Sequence, residues 1–338
     1  MKILFLGGTG FIGPYQVETA IKRGHQVTLF NRGKTNPSLF PQAEKLEGDR
    51  DGKLDALKGK TWDAVIDNSG YVPRHVRDSA ALLKGNVGQY LFISTVGIYQ
   101  AFYDGSWPKD GVDESSPKAP LSEPGSEEVG KYYGPLKVLC EQEVEKAFPS
   151  GSTLVRPGLI VGPGDPTDRF TYWPVRIDRG GEVMAAGSPN DPVLYIDARD
   201  LGDWCIQLVE QKTTGAFNAL GPLKPFTMAD MLYGCRAVTS TPVSFTWVEG
   251  SIVNEHLGPN PMGLIPWVWP RGPLTGASHF RRDRAFAAGL RFRPFAETAG
   301  DTLKWFKTLP PERQAKLEAG ITAEQEAKIL AAWKAKPR

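Results

Sequence analysis

The residues best suited to proton chemistry stand in Tyr133-Gly134-Pro135-Leu136-Lys137, a phenol and an ammonium four positions apart. On a helix that spacing puts both on one face. A phenol with an ordinary pKa near ~10 is a poor base at neutral pH. A neighbouring ammonium favours the phenolate and draws that pKa toward the working range. A hydroxyl completes the set, because an apolar run ends in Phe92-Ile93-Ser94-Thr95-Val96-Gly97-Ile98-Tyr99. Thr95, with Ser94 as the second choice, can hydrogen-bond a carbinol or carbonyl and hold it against the phenol.

These groups need a platform, and the first residues supply one. Lys2 to Leu6 is an apolar strand that runs directly into Gly7-Gly8-Thr9-Gly10-Phe11-Ile12-Gly13, followed by a helical pattern over 12–23. This is a dinucleotide fingerprint in its proper strand–turn–helix context. Gly7 permits the tight turn, Gly10 lets the backbone approach a pyrophosphate, and Gly13 lets helix and strand pack closely. The helix N-terminus offers free N–H groups and a partial positive charge to the phosphates.

Further strands are predicted at 26–30, 64–67, 90–94 and 153–157. Helices are expected at 76–84, 133–148 (with Pro135 tolerable only in the first turn) and 201–209. Their alternation predicts an α/β, doubly wound parallel Rossmann sheet over residues 1–162. Residues 101–131, rich in Pro, Gly, Ser and acids, read as a long surface loop beside the site that could act as a lid. Beyond about 162 the rhythm becomes irregular. Residues 163–338 are therefore expected to form a smaller substrate-binding part, interleaved with late Rossmann elements over 193–218. One of these, 193–197, is predicted to return to the main sheet. A capping box, Thr322-Ala323-Glu324-Gln325, opens a C-terminal helix bearing Ile329, Leu330 and Trp333, suited to packing on the body or on another subunit. Tyr172, Trp173, Trp267 and Trp269 are either sugar-stacking platforms or plain packing.

Composition narrows the class. With 338 residues, 23% charged, 41% hydrophobic and a net charge of +2, the chain reads as globular. It has no dense basic stripe for nucleic acid and no run long enough for a membrane span. No basic, apolar leader precedes the first strand, and three scattered cysteines suit a reducing cytoplasm without offering a metal pattern.

Together these motifs resemble the extended short-chain dehydrogenase/reductases, specifically the NAD(P)-dependent sugar epimerase/dehydratase family. The likeness takes in the glycine fingerprint, Gly48-Asp49-Arg50, the 92–99 segment and Tyr133 to Lys137. It continues through Val155-Arg156-Pro157, Gly162-Pro163-Gly164, 195–200, Gly215-Ala216-Phe217-Asn218 and Leu290-Arg291-Phe292-Arg293-Pro294. The resemblance implies Tyr133 as catalytic acid/base, Lys137 on the nicotinamide ribose and Thr95 as the catalytic hydroxyl. It places Gly7, Thr9, Gly10, Phe11, Ile12, Gly13, Asn31 and Arg32 on the cofactor. Asp49 meets the adenine amino group beside the backbone of Arg50. Asn68, Ser69 and Gly70 line the ribose and pyrophosphate.

The departures narrow the chemistry. Val96-Gly97 stand where family dehydratases carry an Asp-Glu pair, so elimination of water is not expected. Val193-Leu194 precede Tyr195-Ile196, where nucleotide-sugar enzymes often carry an Arg; Arg271 could compensate. Strand two ends in Asn31-Arg32 rather than an acid, which favours NADP, with Arg32 pairing the 2′-phosphate. The other reading has Asn31 bonding the ribose of NAD while Arg32 stacks on adenine. The expected function is hydride transfer at a carbinol or keto carbon of a sugar, glycoside or similar small molecule, by an epimerase or reductase. The family often dimerises, which leaves a homodimer open. The alternative is a non-catalytic RNA-binding or regulatory protein, as in chloroplast stem-loop-binding proteins, which the N-terminal half also resembles. Those relatives abandon the Tyr/Lys pair that this chain keeps.

Overall fold

A computed structural model describes residues 1–259 and 261–336. The chain divides into two compact units: Met1–Gly158, Ala198–Leu220 and His279–Arg291 in the first, and Leu159–Asp197, Gly221–Ser278 and the chain from Phe292 on in the second.

The first unit is built on a seven-stranded sheet of β1 (Lys2–Leu6), β2 (Gln26–Asn31), β3 (Glu44–Glu47), β4 (Trp62–Asp67), β5 (Val87–Ile93), β6 (Ser152–Pro157) and a last strand, Gly215–Ala219. The order is Gly215–Ala219, β6, β5, β4, β1, β2, β3, and every pairing is parallel. The strand order reverses between β1 and β4, with β2 and β3 added on one side and the later strands on the other; at the carboxyl edge of such a switch point ligands bind. Ile3, Leu4, Phe5 and Leu6 are fully buried, as a strand covered on both faces must be. On one face, α2 (Pro73–Leu83) and α4 (Val129–Ala147) enclose Leu4, Val65, Val76, Tyr90, Phe92, Cys140, Val144 and Leu154. On the other, Gly202 of the helix Ala198–Glu210 lies against α1 (Ile12–Lys22), where a Cβ would stand 3.1 Å from the Tyr15 Cβ.

One expectation needs correction. Residues 193–197 do not return to the main sheet. Only Ile196–Asp197 is strand, and it pairs with Ile160–Val161 in a separate two-stranded ladder. The preceding backbone is committed elsewhere: Val193 N–H bonds the Phe226 carbonyl, and Tyr195 exchanges both backbone bonds with Gly221. The 101–131 segment is mostly surface loop, as expected, but it is held at several points. It begins with the short helix α3 (Ala101–Asp104) and is then pinned, with Val112 bridging to Phe280 and Tyr99 to Lys118. Val112 and Ala119 are buried, whereas most of 103–110 and 120–131 is exposed or half-buried.

The second unit packs Phe170, Tyr172, Trp173, Met184, Met231, Leu232 and Trp267 into one core, beside a parallel ladder of Gly181–Ala186 with Val243–Val248. Tyr172, Trp173 and Trp267 are 3%, 0% and 2% exposed, so these rings are packing rather than open stacking platforms. Trp269 is partly buried, and the Arg271 guanidinium lies 5.7 Å over its ring. The C-terminal helix Ala323–Ala335 starts at the expected capping box, with Thr322 and Gln325 satisfying each other's backbone N–H. Its Ile329 and Leu330 join the core. Glu326 accepts from Arg176 at 2.7 Å and from the Met184 N–H at 3.0 Å.

Glu326→Ala should therefore cost about 3 kcal/mol, because it removes the counter-charge of a largely buried guanidinium, which keeps only the Gly180 and Glu182 carbonyls, and leaves a strand N–H unpaired. A guanidinium chloride unfolding midpoint equal to that of the wild type would refute this anchor.

Candidate active site

The glycine turn forms the floor of the site. Gly7 and Gly8 have φ of +106° and +92°, conformations that side chains rarely adopt. At Gly13 a Cβ would stand 2.6 Å from the Gly8 carbonyl carbon, so the start of α1 lies against the turn only because that position is glycine. Above Gly10 there is open space. No side chain caps α1 and no acid sits in its first turn, which leaves the amide groups near Phe11 and Ile12 available to an anion. Thr9 is buried, and its carbonyl accepts from the Asn36 side chain at 3.0 Å. Sequence reasoning gave no role to Gly8 or Asn36. The doubled glycine was a signal for the first. Nothing local pointed to the second, which reaches Thr9 from a loop 27 residues on.

The Asn31 amide at the end of β2 is engaged within the protein, donating to the Gly7 carbonyl at 3.4 Å and accepting from the Gly33 N–H at 2.9 Å. Arg32 beside it is exposed. The Asp49 carboxylate accepts from the Asp51 N–H. The Arg50 side chain is turned inward, donating to Asp67 at 2.6 Å and to the Ser79 hydroxyl at 2.7 Å, so only its backbone is left to meet a ligand. The Tyr90 hydroxyl donates to the other Asp67 oxygen at 2.7 Å. After β4, Asn68 donates to Gln16 at 2.6 Å while its own carbonyl oxygen is buried without a partner. The Ser69 hydroxyl donates to the Leu6 carbonyl.

The candidate acid/base, ammonium and hydroxyl residues lie where the end of β5 and the start of α4 approach each other. Thr95 ends the β5 segment, and its hydroxyl oxygen accepts from the Gly97 N–H at 3.1 Å, leaving the hydroxyl proton to donate. Backbone geometry breaks at Tyr132 (φ −119°, ψ 30°), so regular helix begins at Tyr133 and Pro135 falls in its first turn. A Cβ on Gly134 would collide with the Gly97 carbonyl and the Tyr103 hydroxyl, so glycine alone lets the helix start abut the turn after Thr95. Tyr133 is 41% exposed. Lys137, one turn on, is buried and donates to the Gly70 carbonyl at 2.7 Å and the Ile93 carbonyl at 2.6 Å. Burial lowers its pKa to about 8.

A second buried network lies within the same unit. Arg156 grips Glu141 through two bonds of 2.9 Å and donates to the Tyr99 hydroxyl, which donates to Asn218 at 2.6 Å. Lys118 adds a second cation to Glu141 at 3.1 Å, and Glu114 accepts from the Asn218 N–H at 2.8 Å. Burial alone would raise the Glu141 carboxyl, but the Arg156 bonds and the two cations outweigh it and hold the group ionised. Arg156 and Asn218 were legible in the sequence only as parts of family motifs. Their pairing with Glu141, Tyr99 and Glu114 required the fold.

Among the described residues, no three His, Cys, Asp or Glu side chains are grouped to hold a metal, and no helix is long and apolar enough to cross a membrane. Comparison with known proteins gives concordant results. The chain is 34% identical over 119 residues to the chloroplast stem-loop binding protein of 41 kDa b of Arabidopsis thaliana, covering 29% of this chain and 30% of that protein. It is 28% identical over 243 residues to the 2-alkyl-3-oxoalkanoate reductase of Stenotrophomonas maltophilia, covering 66% and 67% of the two chains. Among solved structures, Bordetella bronchiseptica WbmH in complex with NAD+ superposes with a TM-score of 0.65 at 16% identity, over 91% of this chain and 98% of that one. UDP-N-acetylglucosamine 4-epimerase from Methanobrevibacter ruminantium M1 gives 0.63 at 18% identity, over 91% and 98%. Residues 3–219 match the model of the NAD dependent epimerase/dehydratase family. That span runs from the first strand through the glycine turn, the Tyr133–Lys137 helix and the seventh strand of the sheet. The chain belongs to this family and is an enzyme of the extended short-chain dehydrogenase/reductase type.

Proposed function

We propose that this enzyme oxidises or reduces a carbinol or keto carbon of a sugar or sugar-like substrate, with Tyr133 as the acid/base. The observation that carries the reading is the buried ammonium of Lys137, fixed by two carbonyls one helical turn from an exposed phenol. A cation so placed favours the phenolate of Tyr133, which can then take the carbinol proton or, as the phenol, return one to a carbonyl oxygen. Thr95 retains a hydroxyl proton with which to hold that oxygen. The residues of the glycine turn fit a dinucleotide: Gly10 is open, the α1 amides are uncapped, and the Asn68 carbonyl oxygen lacks a donor. When bound, the nicotinamide supplies the acceptor or donor of a hydride at the substrate carbon. A sugar is favoured by the likeness to a UDP-sugar epimerase, while Val96 and Gly97 after Thr95 provide no acid for a dehydration.

NADP is the preferred cofactor in this reading. The Asn31 amide is already engaged by Gly7 and Gly33, and Arg32 stands exposed beside it to meet a 2′-phosphate. The likeness to a stem-loop binding protein supports a second, RNA-binding reading. Retention of Tyr133 and Lys137 weighs against it, and a gel shift with structured RNA beside a nicotinamide-fluorescence titration separates the two.

Three variants test the proposal. Tyr133→Phe, assayed at 340 nm with UDP-glucose and methyl glucosides as probe substrates, should lower turnover by about 10²–10⁴ while leaving cofactor affinity intact. Full activity in this variant would refute the acid/base assignment. Gly10→Ala should melt like the wild type yet bind the dinucleotide weakly by calorimetry, because its new methyl enters the open space above the turn; wild-type affinity would move the cofactor elsewhere. Arg32→Ala should weaken NADP binding by about 1.5–3 kcal/mol, roughly ten- to a hundredfold, with little change for NAD. Equal losses for both cofactors would favour the reading in which Asn31 bonds the ribose of NAD.

A further inference from the structure

The Lys137 ammonium sits in a box of four groups. Two are the Gly70 and Ile93 carbonyls, at 2.7 and 2.6 Å. The other two are aromatic faces: Phe92, whose ring centre is 4.1 Å away, and Tyr71 at 5.2 Å. Gly70, Ile93 and Phe92 are buried, whereas Tyr71 is 45% exposed and forms the wall of the box that meets water. The Tyr71 ring also lies 6.3 Å from that of Tyr133. None of the expectations from sequence reached Tyr71.

We propose that Tyr71 is a positioning residue for Lys137: its ring closes the solvent side of the ammonium box and keeps water from the charge that supports Tyr133. The proposal rests on the acid/base reading of Tyr133 and Lys137 given above. The role assigned to the ring is exercised through Lys137. The other titratable groups near the ammonium are Asp67 at the end of β4, Arg50, and Cys140 and Glu141 on α4 itself. Asp67 is paired with Arg50 and Tyr90, and Glu141 with Arg156 and Lys118, so none of these provides Lys137 with a dedicated counter-ion. Burial raises the pKa of the Tyr71 phenol, which keeps the wall neutral.

The consequence has a definite sign. Desolvation is the largest influence on Lys137 and lowers its pKa to about 8. The charge that favours the Tyr133 phenolate is thus present below that pH and lost as pH rises through it. Removing the ring admits water, which stabilises the ammonium and carries its titration toward the ordinary lysine value near ~10.4. Loss of the cation–π attraction acts in the opposite direction, but at 5.2 Å from a half-exposed ring it is the smaller effect.

Lysine 13Cε and 15Nζ NMR on the whole, ligand-free protein tests this directly, with the Lys137 resonance assigned by its absence in Lys137→Met. The wild type and Tyr71→Phe should titrate together near the same pH. Tyr71→Ala and Tyr71→Asn should each hold the Lys137 proton about tenfold or more tightly. The alkaline limb of turnover should move upward in the same two variants and stay in place in Tyr71→Phe. Coincident titration of all four proteins overturns the proposal, as does a shift in Tyr71→Phe equal to that in Tyr71→Ala. The NMR titration needs no substrate, so failure of the Tyr133 assignment would appear separately, as retained turnover in Tyr133→Phe.

Discussion

A lysine ammonium with almost no access to water sets the terms for the candidate catalytic face. Burying such a charge is costly unless its donors find acceptors. Lys137 meets that condition with two main-chain carbonyls, one from the turn after β4 and one from the end of β5. Neither carbonyl can move far without exposing or abandoning the charge. The ammonium therefore ties the helix that carries Tyr133 to the two strand ends beside the switch point. Gly70 serves this arrangement sterically as well, since a Cβ there would run into Phe92 and Val76.

Two further buried ion pairs extend the same logic through the first unit. Arg50 and Asp67 lock the turns after β3 and β4 together, with Tyr90 bonding the second carboxylate oxygen and Ser79 the guanidinium. Arg156 and Glu141 join β6 to α4, and Lys118, Glu114 and Asn218 bring in the segment after α3 and the last strand. Such pairs add little net stability over a well-packed apolar core, but half of one left alone is strongly destabilising. An arrangement of strand ends and loops that separates either pair leaves a buried charge unpaired. The polar stretch from 112 to 119 is held in place by these bonds, although its composition is that of a surface loop.

The second unit relies on aromatic packing. Trp173 and Trp267 are buried with their ring N–H groups satisfied, by the Ile265 carbonyl and the Asp191 carboxylate respectively. Large flat rings can fill a core whose elements are short and irregular, provided each polar edge finds a partner. The C-terminal helix then closes that core with Ile329 and Leu330, and Glu326 fixes it in position.

Local rules were sufficient for everything that depends on a few consecutive residues. The parallel strands, the glycine turn, the start of regular helix at Tyr133 and the Thr322 capping box were legible because periodicity, steric freedom and capping act over one or two turns. The roles proposed for Tyr133, Lys137 and Thr95 come from residue types at a set spacing. Their company was not legible in this way. Asn36 on Thr9, Tyr71 over Lys137 and Glu114 on Asn218 join segments between 27 and 104 residues apart. The strand expected at 193–197 failed for a related reason: its apolar run is real, but the N–H groups of Val193 and Tyr195 are taken by residues 226 and 221. Which partners satisfy a buried charge or a free N–H is decided only when distant segments compete for it in three dimensions, because the cost of leaving it unpaired is incurred in the folded state alone.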